Sequence, residues 1–238
     1  MEPKLDSDKR VYHWSPQKYI ELVGHTDNPL LREYQQVELE YVASKIQSPG
    51  AKTFIDVGAG YGRVLPQIAE IARGIIAVEI DQEMLGELRK RAEEYDNVQI
   101  VEGDGNQLPD LLKERNTVKP VVLSLQNSLG PWVGDWRGAL SAMRKVAERG
   151  KGEVIVSVFC QEEFGDKAIE MYKSVAGLVG EPDFEGIDYE GGIYVTDHGY
   201  RTRWWTFDER EKMKQILGGQ IVGEVTDNPA FYILHVSY

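Results

Sequence analysis

Cysteine is nearly absent from this chain. Among 238 residues only Cys160 is a cysteine, so no internal disulfide can form and stability must come from a packed core. Cys160 ends an apolar run, as a buried small hydrophobe does. No apolar run approaches the ~20 residues that span a bilayer. The first residues, Met1-Glu2-Pro3-Lys4-Leu5-Asp6, lack the basic and apolar regions of a secretory leader. Together these absences set the expected location as a reducing cytoplasm. Positive charge is also scarce: 27 basic residues face 39 acidic ones, for a net charge of −12. Proteins that neutralise phosphates need a basic surface. The longest basic run, Arg89-Lys90-Arg91, reads as a solvated helix face. The balance therefore argues against tRNA, rRNA or DNA as a partner. Histidines are few and scattered: His13, His25, His198 and His235. His235 falls in a strand and reads as structural, whereas His198 in a hairpin turn and the pair His13-Trp14 are the candidates for a base.

Glycine, by contrast, is placed with a period. The stretch Phe54-Ile55-Asp56-Val57-Gly58-Ala59-Gly60-Tyr61-Gly62-Arg63 runs from a short apolar segment through an acid into glycines at every second position. A parallel strand that turns tightly into a helix has this form, and backbone N–H groups there can approach a ligand closely. Glycine used only for turn geometry is the alternative. After a helix-like stretch at 64–73 comes Gly74-Ile75-Ile76-Ala77-Val78-Glu79-Ile80-Asp81, a continuous run suited to a strand covered on both faces. Glu79 ends it about twenty residues past the glycines, where an acid accepts from both hydroxyls of a ribose. Asp81 is placed to cap the helix that follows, 82–95. A third strand and turn read Val98-Gln99-Ile100-Val101-Glu102-Gly103-Asp104-Gly105, and a fourth reads Pro120-Val121-Val122-Leu123-Ser124-Leu125-Gln126-Asn127.

The nicotinamide-binding turn is G-x-G-x-x-G; the turn here is G-x-G-x-G behind Asp56. In that spacing, and in the order of the four segments, the chain resembles class I S-adenosylmethionine-dependent methyltransferases of the small-molecule branch. The resemblance covers residues 52–160 and 204–238. It implies an α/β, Rossmann-like, seven-stranded mostly parallel sheet with helices on both faces. S-adenosylmethionine is the implied cofactor, held by Asp56, Gly58, Ala59, Gly60, Gly62, Glu79, Ile80, Met84, Gly103, Asp104, Gly105 and Gln126. Asp104 would accept from the adenine amine, with Gly105 keeping that edge open. Met84 would pack on the adenine face, or is plain core. Asn127 would lie nearest the transferred methyl, or stabilises its own turn. The Asn-Pro-Pro-aromatic motif of enzymes acting on base amines is replaced by Gln126-Asn127-Ser128-Leu129. The fourth and fifth strand ends read Gln126-Asn127 and Cys160-Gln161, a poor donor set for magnesium; metal independence is expected.

One domain over 1–238 is expected. Residues 1–50 form an N-terminal helical cap, with Ser15-Pro16 and Asn28-Pro29 as helix starts. Residues 51–160 form the cofactor core. Residues 161–205 form an insert, a helix over 162–179 followed by a β-hairpin lid. Residues 206–238 close the sheet behind a capping box, Thr206 to Glu209. Period-two alternation in the hairpin puts Tyr200, Thr202 and Trp204 on one face and Arg201, Arg203 and Trp205 on the other. Trp132, Tyr194, Tyr200, Arg201 and Arg203 are the candidate substrate residues, and the arginines suit an anionic small acceptor; surface arginines on a stabilising hairpin are the alternative. The leading function is methyl transfer to a small molecule, with Asn127 and His198 as catalytic candidates. The alternatives are a cofactor-binding regulatory or partner protein, and an acceptor that is protein or RNA. A homo-oligomer is left open.

Overall fold

The computed structural model describes residues 4–6, 11–13, 15–44, 52–132 and 135–238, the first two stretches as backbone only. It begins with an antiparallel pair, β1 (Lys4–Asp6) and β2 (Val11–His13), that the helical N-terminal reading lacks. Strands of three residues are too short to give a readable period. The side chain of His13 and all of Trp14 lie outside the described residues.

The expected sheet is present. Its parallel strands are β3 (Thr53–Val57), β4 (Gly74–Glu79), β5 (Val98–Glu102), β6 (Val121–Ser124) and β7 (Glu153–Phe159). β8 and β9 lie in the insert, and the sheet closes with β10 (Gln220–Val225) and β11 (Phe231–Ser237). The order is β10-β11-β7-β6-β3-β4-β5, and only β11 runs antiparallel to its neighbours. Every residue of β3 is buried, as a central strand covered on both faces requires.

Alternation along the strands sorts the two layers. Phe54, Ile75, Ala77 and Leu123 face α2 (Pro29–Ser44), α3 (Leu65–Ile68) and α4 (Gln82–Ala92). Ile55, Val57, Ile76, Val78 and Val122 face α5 (Leu108–Leu111), α6 (Trp136–Gly150) and α9 (Phe207–Leu217). Helix starts follow their side chains. Asp81 Oδ1 accepts from Met84 N at 2.8 Å, Asn28 Oδ1 from Leu31 N at 3.1 Å, and the Thr206–Glu209 box closes in both directions. Ser15 departs from expectation, making no side-chain cap at α1 (Pro16–Tyr19), which runs on into a π turn, Ile20–Gly24. No helix among the described residues is long and apolar enough to cross a membrane.

The insert differs from its reading in one respect. The single helix over 162–179 is broken into α7 (Asp166–Ser174) and α8 (Ala176–Val179), because Gly165 takes φ +91° and Val175 leaves helical geometry. Both pieces then press Met171, Tyr172, Val175 and Leu178 into a cluster with Leu31 and Tyr34 of α2. The hairpin, β8 (Ile193–Val195) with β9 (Arg201–Arg203), adds Tyr194, Tyr200 and Trp204 to it. Trp204 stacks on Phe159 at 4.6 Å between ring centroids. Trp205 N donates to Phe159 O at 2.8 Å, so the hairpin is stitched to the carboxyl end of β7. In this way the N-terminal helices and the insert roof the carboxyl ends of the parallel strands, where α/β ligands bind.

Candidate functional site

The glycine turn folds over the end of β4. Gly58 N and Ala59 N donate to Val78 O at 2.9 and 3.1 Å, and Gly60 N donates to Glu79 Oε2 at 2.7 Å. Gly60 has φ +55°, and a Cβ there would project into open space. This is a position where backbone, not side chain, faces the cavity. Gly62 serves a different end. It has φ +82°, and a Cβ would lie 2.8 Å from Leu88 Cδ1 and 2.9 Å from Leu65 Cδ1. The expectation that it touches the cofactor is corrected: Gly62 lets α3 and α4 close on each other.

Glu79 is more heavily engaged than the sequence implies. Besides Gly60, its Oε1 accepts from Ile80 N at 2.7 Å and Asp81 N at 2.9 Å. A carboxylate has about four acceptor sites, so about one is left. Three of its acceptor sites are thus taken by the protein's own backbone. Burial pushes the Glu79 carboxyl above its ordinary value, and the three N–H donors pull it back.

Behind the turn lies a buried polar group that the motifs did not reveal. Glu38 of α2 is fully buried. It accepts from Gln126 N, from Ser157 Oγ and from Arg63 Nη2, the last at 2.6 Å. Arg63 Nη1 is buried without a hydrogen-bond partner. Tyr34 accepts from Asn127 N at 2.9 Å and donates to Ser157 Oγ at 3.0 Å. A signal for Glu38 existed. Leu31, Tyr34, Gln35, Glu38 and Val42 share one helical face, and it is the buried one. A carboxylate on that face needs an interior partner. Asp56 sits beside this group, and burial pushes its carboxyl up to about 7, with Arg63 opposing and Glu79 and Glu38 adding.

At the far strand end, Asp104 is engaged by its own turn. Its Oδ1 accepts from Asn106 N at 2.9 Å and from Asn106 Nδ2 at 3.1 Å. Asn106 Oδ1 is the buried acceptor without a donor there. Gly105 does not hold the edge open; it admits Trp132, whose Cη2 would lie 2.6 Å from an added Cβ. Trp132 thus belongs to the Asp104 end, not to the space under the hairpin. Met84 is buried and still lines the cavity.

Asn127 is held in the left-handed region, φ +52°. Its Oδ1 accepts from Trp205 Nε1 at 2.9 Å, and its Nδ2 donates to Arg203 O at 3.0 Å. The amide therefore anchors the hairpin to the turn after β6. Arg203 pairs with Glu209 and lies over the Trp205 ring, while Arg201 is exposed; neither lines the cavity. Tyr194 is fully buried against Tyr172, with ring centroids 4.1 Å apart, and lies off the cavity as well. His198 is exposed in the turn, 3.9 Å from Asp197, and does not line the cavity. The two arginines lie off the cavity for one reason. The hairpin turns its Tyr200–Thr202 face inward and its arginines outward. Trp205 alone breaks the alternation, buried edge-on against Trp136 at 5.0 Å.

What the fold does bring together is one cavity of about 850 Å³. It joins Asp56, Gly58, Ala59, Gly60, Glu79 and Ile80 at one end to Tyr200 and Thr202 at the other, passing Met84, Gly103, Asp104, Gly105, Gln126 and Asn127.

A family model described as a methyltransferase domain matches residues 54–150. In fold the chain is similar to an S-adenosylmethionine-dependent methyltransferase of Clostridium acetobutylicum, with a TM-score of 0.62 at 14% identity over 93% of this chain and 96% of that one. It is also similar to the magnesium protoporphyrin IX methyltransferase of Synechocystis solved with bound S-adenosylhomocysteine, with a TM-score of 0.59 at 16% identity over 92% and 91%. Among curated proteins, a probable ribosomal RNA small subunit methyltransferase A of Methanosarcina acetivorans is 33% identical over 87 residues. That match takes in 37% of this chain and only 32% of the relative's length.

Proposed function

We propose that this chain binds S-adenosylmethionine at the carboxyl ends of β3–β6 and transfers its methyl group to a small-molecule acceptor beneath the hairpin. The observation that carries the reading is the continuous cavity from the glycine turn to the hairpin. The residues along it suit this cofactor. Arg63 Nη1, buried without a partner, suits a carboxylate. Asp56 suits the ammonium of the amino-acid tail, and the remaining acceptor site of Glu79 suits a ribose hydroxyl. Asn106 Oδ1, with Asp104 beside it, suits an adenine amine.

Bound there, the cofactor supplies an electrophilic methyl for in-line displacement. The chain's part is to orient and to exclude water. Asn127 fixes the hairpin, and Phe159, Tyr200 and Thr202 close over the cavity. Among the described residues no histidine lines it, which favours an acceptor whose nucleophile needs no protein base, such as an amine or a thiolate. Among the described residues no group of three or more His, Cys, Asp or Glu could hold a metal ion, and the proposed transfer is metal-independent.

An RNA acceptor is the second reading, favoured by the match to the ribosomal RNA methyltransferase. The net charge of −12 weighs against it. Calorimetry tests the cofactor first. The expected result is micromolar binding of S-adenosylmethionine, about −8 kcal/mol, and none of NAD; the reverse pattern overturns the reading. Release of S-adenosylhomocysteine with a metabolite pool, but not with total RNA, then supports the acceptor class. Binding with no turnover on either would favour a regulatory protein.

A further inference from the structure

The cavity is divided by chemistry. Its charged lining side chains are Asp56, Arg63, Glu79, Asp81, Glu102, Asp104 and Asp135. All of these belong to the strand ends and the loops that follow them. None comes from α1, α2, α7, α8 or the hairpin, although each of those elements, or the turn that continues it, supplies wall. There the lining is Leu31, Phe159, Met171, Val175, Leu178 and Tyr200, each no more than 6% exposed. These side chains belong to the cluster that the N-terminal helices and the insert form with Phe159 and Phe231 of the sheet. They border open space, where a core would be filled. Interiors are normally packed without voids, and an unfilled apolar space costs stability in proportion to its size. The polar groups within reach are hydroxyls. Tyr172 accepts from Trp204 Nε1 at 3.2 Å, and Thr202 Oγ1 lies 3.5 Å from Asn127 Nδ2.

We propose that this apolar lobe receives an uncharged aryl or alkyl body of the methyl acceptor. The inference rests on the methyltransferase reading and replaces the anionic acceptor that the hairpin arginines suggested. A carboxylate or phosphate in the lobe would lose its hydration and meet no cation. It would also face a cavity end with six acids and one arginine. A neutral ring or chain exchanges water for Leu31, Phe159 and Met171, and gains roughly in proportion to the area it buries.

The test uses the full chain with indole as the neutral probe and indole-3-carboxylate as its anionic counterpart. Titrations are followed by NMR of labelled methyl groups, with and without S-adenosylhomocysteine. Indole is expected to shift the methyl signals of Leu31, Met171, Val175 and Leu178 and to leave those of Leu65 and Leu88 in place. It is expected to bind at least tenfold more tightly than indole-3-carboxylate. Val175→Phe, which fills the lobe, is expected to weaken indole by at least tenfold while S-adenosylhomocysteine affinity stays within twofold. The proposal is overturned if the carboxylate binds as well as indole, or if indole shifts methyls elsewhere. Both of those readouts use the unaltered chain, so they stand even where the variant fails to fold. Unchanged indole affinity in a folded Val175→Phe overturns it too. Failure to bind S-adenosylhomocysteine, with indole seated in the lobe, would remove the methyltransferase reading and leave the lobe assignment in place.

Discussion

At the scale of single residues, the proposed cofactor site turns on two carboxylates, Asp56 and Glu79. Burial raises the Asp56 carboxyl from 3.8 to about 7, so the folded protein holds a proton that the unfolded chain releases. The stabilising contribution is therefore full below about pH 4 and is lost as pH rises through 7. Asp56→Asn should be more stable than the native protein at pH 8, with the gap closing toward pH 4. Denaturant unfolding across that range checks it, and a constant gap would contradict it. A cationic ligand favours the ionised acid, so S-adenosylmethionine should bind native protein more tightly at pH 8 than at pH 6. In Asp56→Asn that dependence should flatten. Glu79→Ala removes a ribose acceptor and the clamp on Gly60 together. One charge-assisted hydrogen bond of ~1.5–3 kcal/mol predicts at least about tenfold weaker cofactor binding. Calorimetry that returned the native dissociation constant would reduce Glu79 to a strand-end carboxylate.

At the scale of elements, two polar anchors hold the roof. Glu38 ties α2 to Arg63 and to the turn after β6. Its replacement by Ala leaves a buried guanidinium unpaired, a loss of about 3–5 kcal/mol, which thermal unfolding should register as a large drop. Asn127 ties the same turn to the hairpin. Asn127→Ala leaves Trp205 Nε1 without an acceptor, at about 1–3 kcal/mol, and should raise the acceptor KM by loosening the hairpin. Arg201→Ala should leave the acceptor KM within twofold, since its side chain points away from the cavity. Equal effects of the two substitutions in steady-state kinetics would contradict the assignment of inner and outer faces.

For the whole molecule, charge and topology set the kind of partner. A chain with 12 excess acids disfavours polyanions, which supports the proposed small acceptor. Turnover on a small acceptor should survive a chelator undiminished. Loss of activity with chelator, restored by magnesium, would mean that Gln126, Asn127, Cys160 and Gln161 had been misjudged as non-ligands.

Continuous β-branched runs, the period of the glycines and the acids at strand ends are local signals, and the sequence alone determined from them the sheet, its helices and the cofactor end of the cavity. The backbone's need for tight turns at strand ends forces glycine there, whatever the rest of the chain does. Long-range contact decided the remainder. Which face of a two-stranded hairpin points inward depends on what lies beneath it, and alternation alone gives both answers equal standing. Trp205, Asn127 and Phe159 fix that choice only once β6, β7 and the insert have met. Likewise Glu38 and Arg63 are 25 positions apart, and nothing local marks them as partners. The sequence therefore carried the strand-end glycines and acids of the proposed cofactor end, which local turns place. The apolar lobe proposed for the acceptor is made by side chains from four separate segments, and its character appears only when they are packed together.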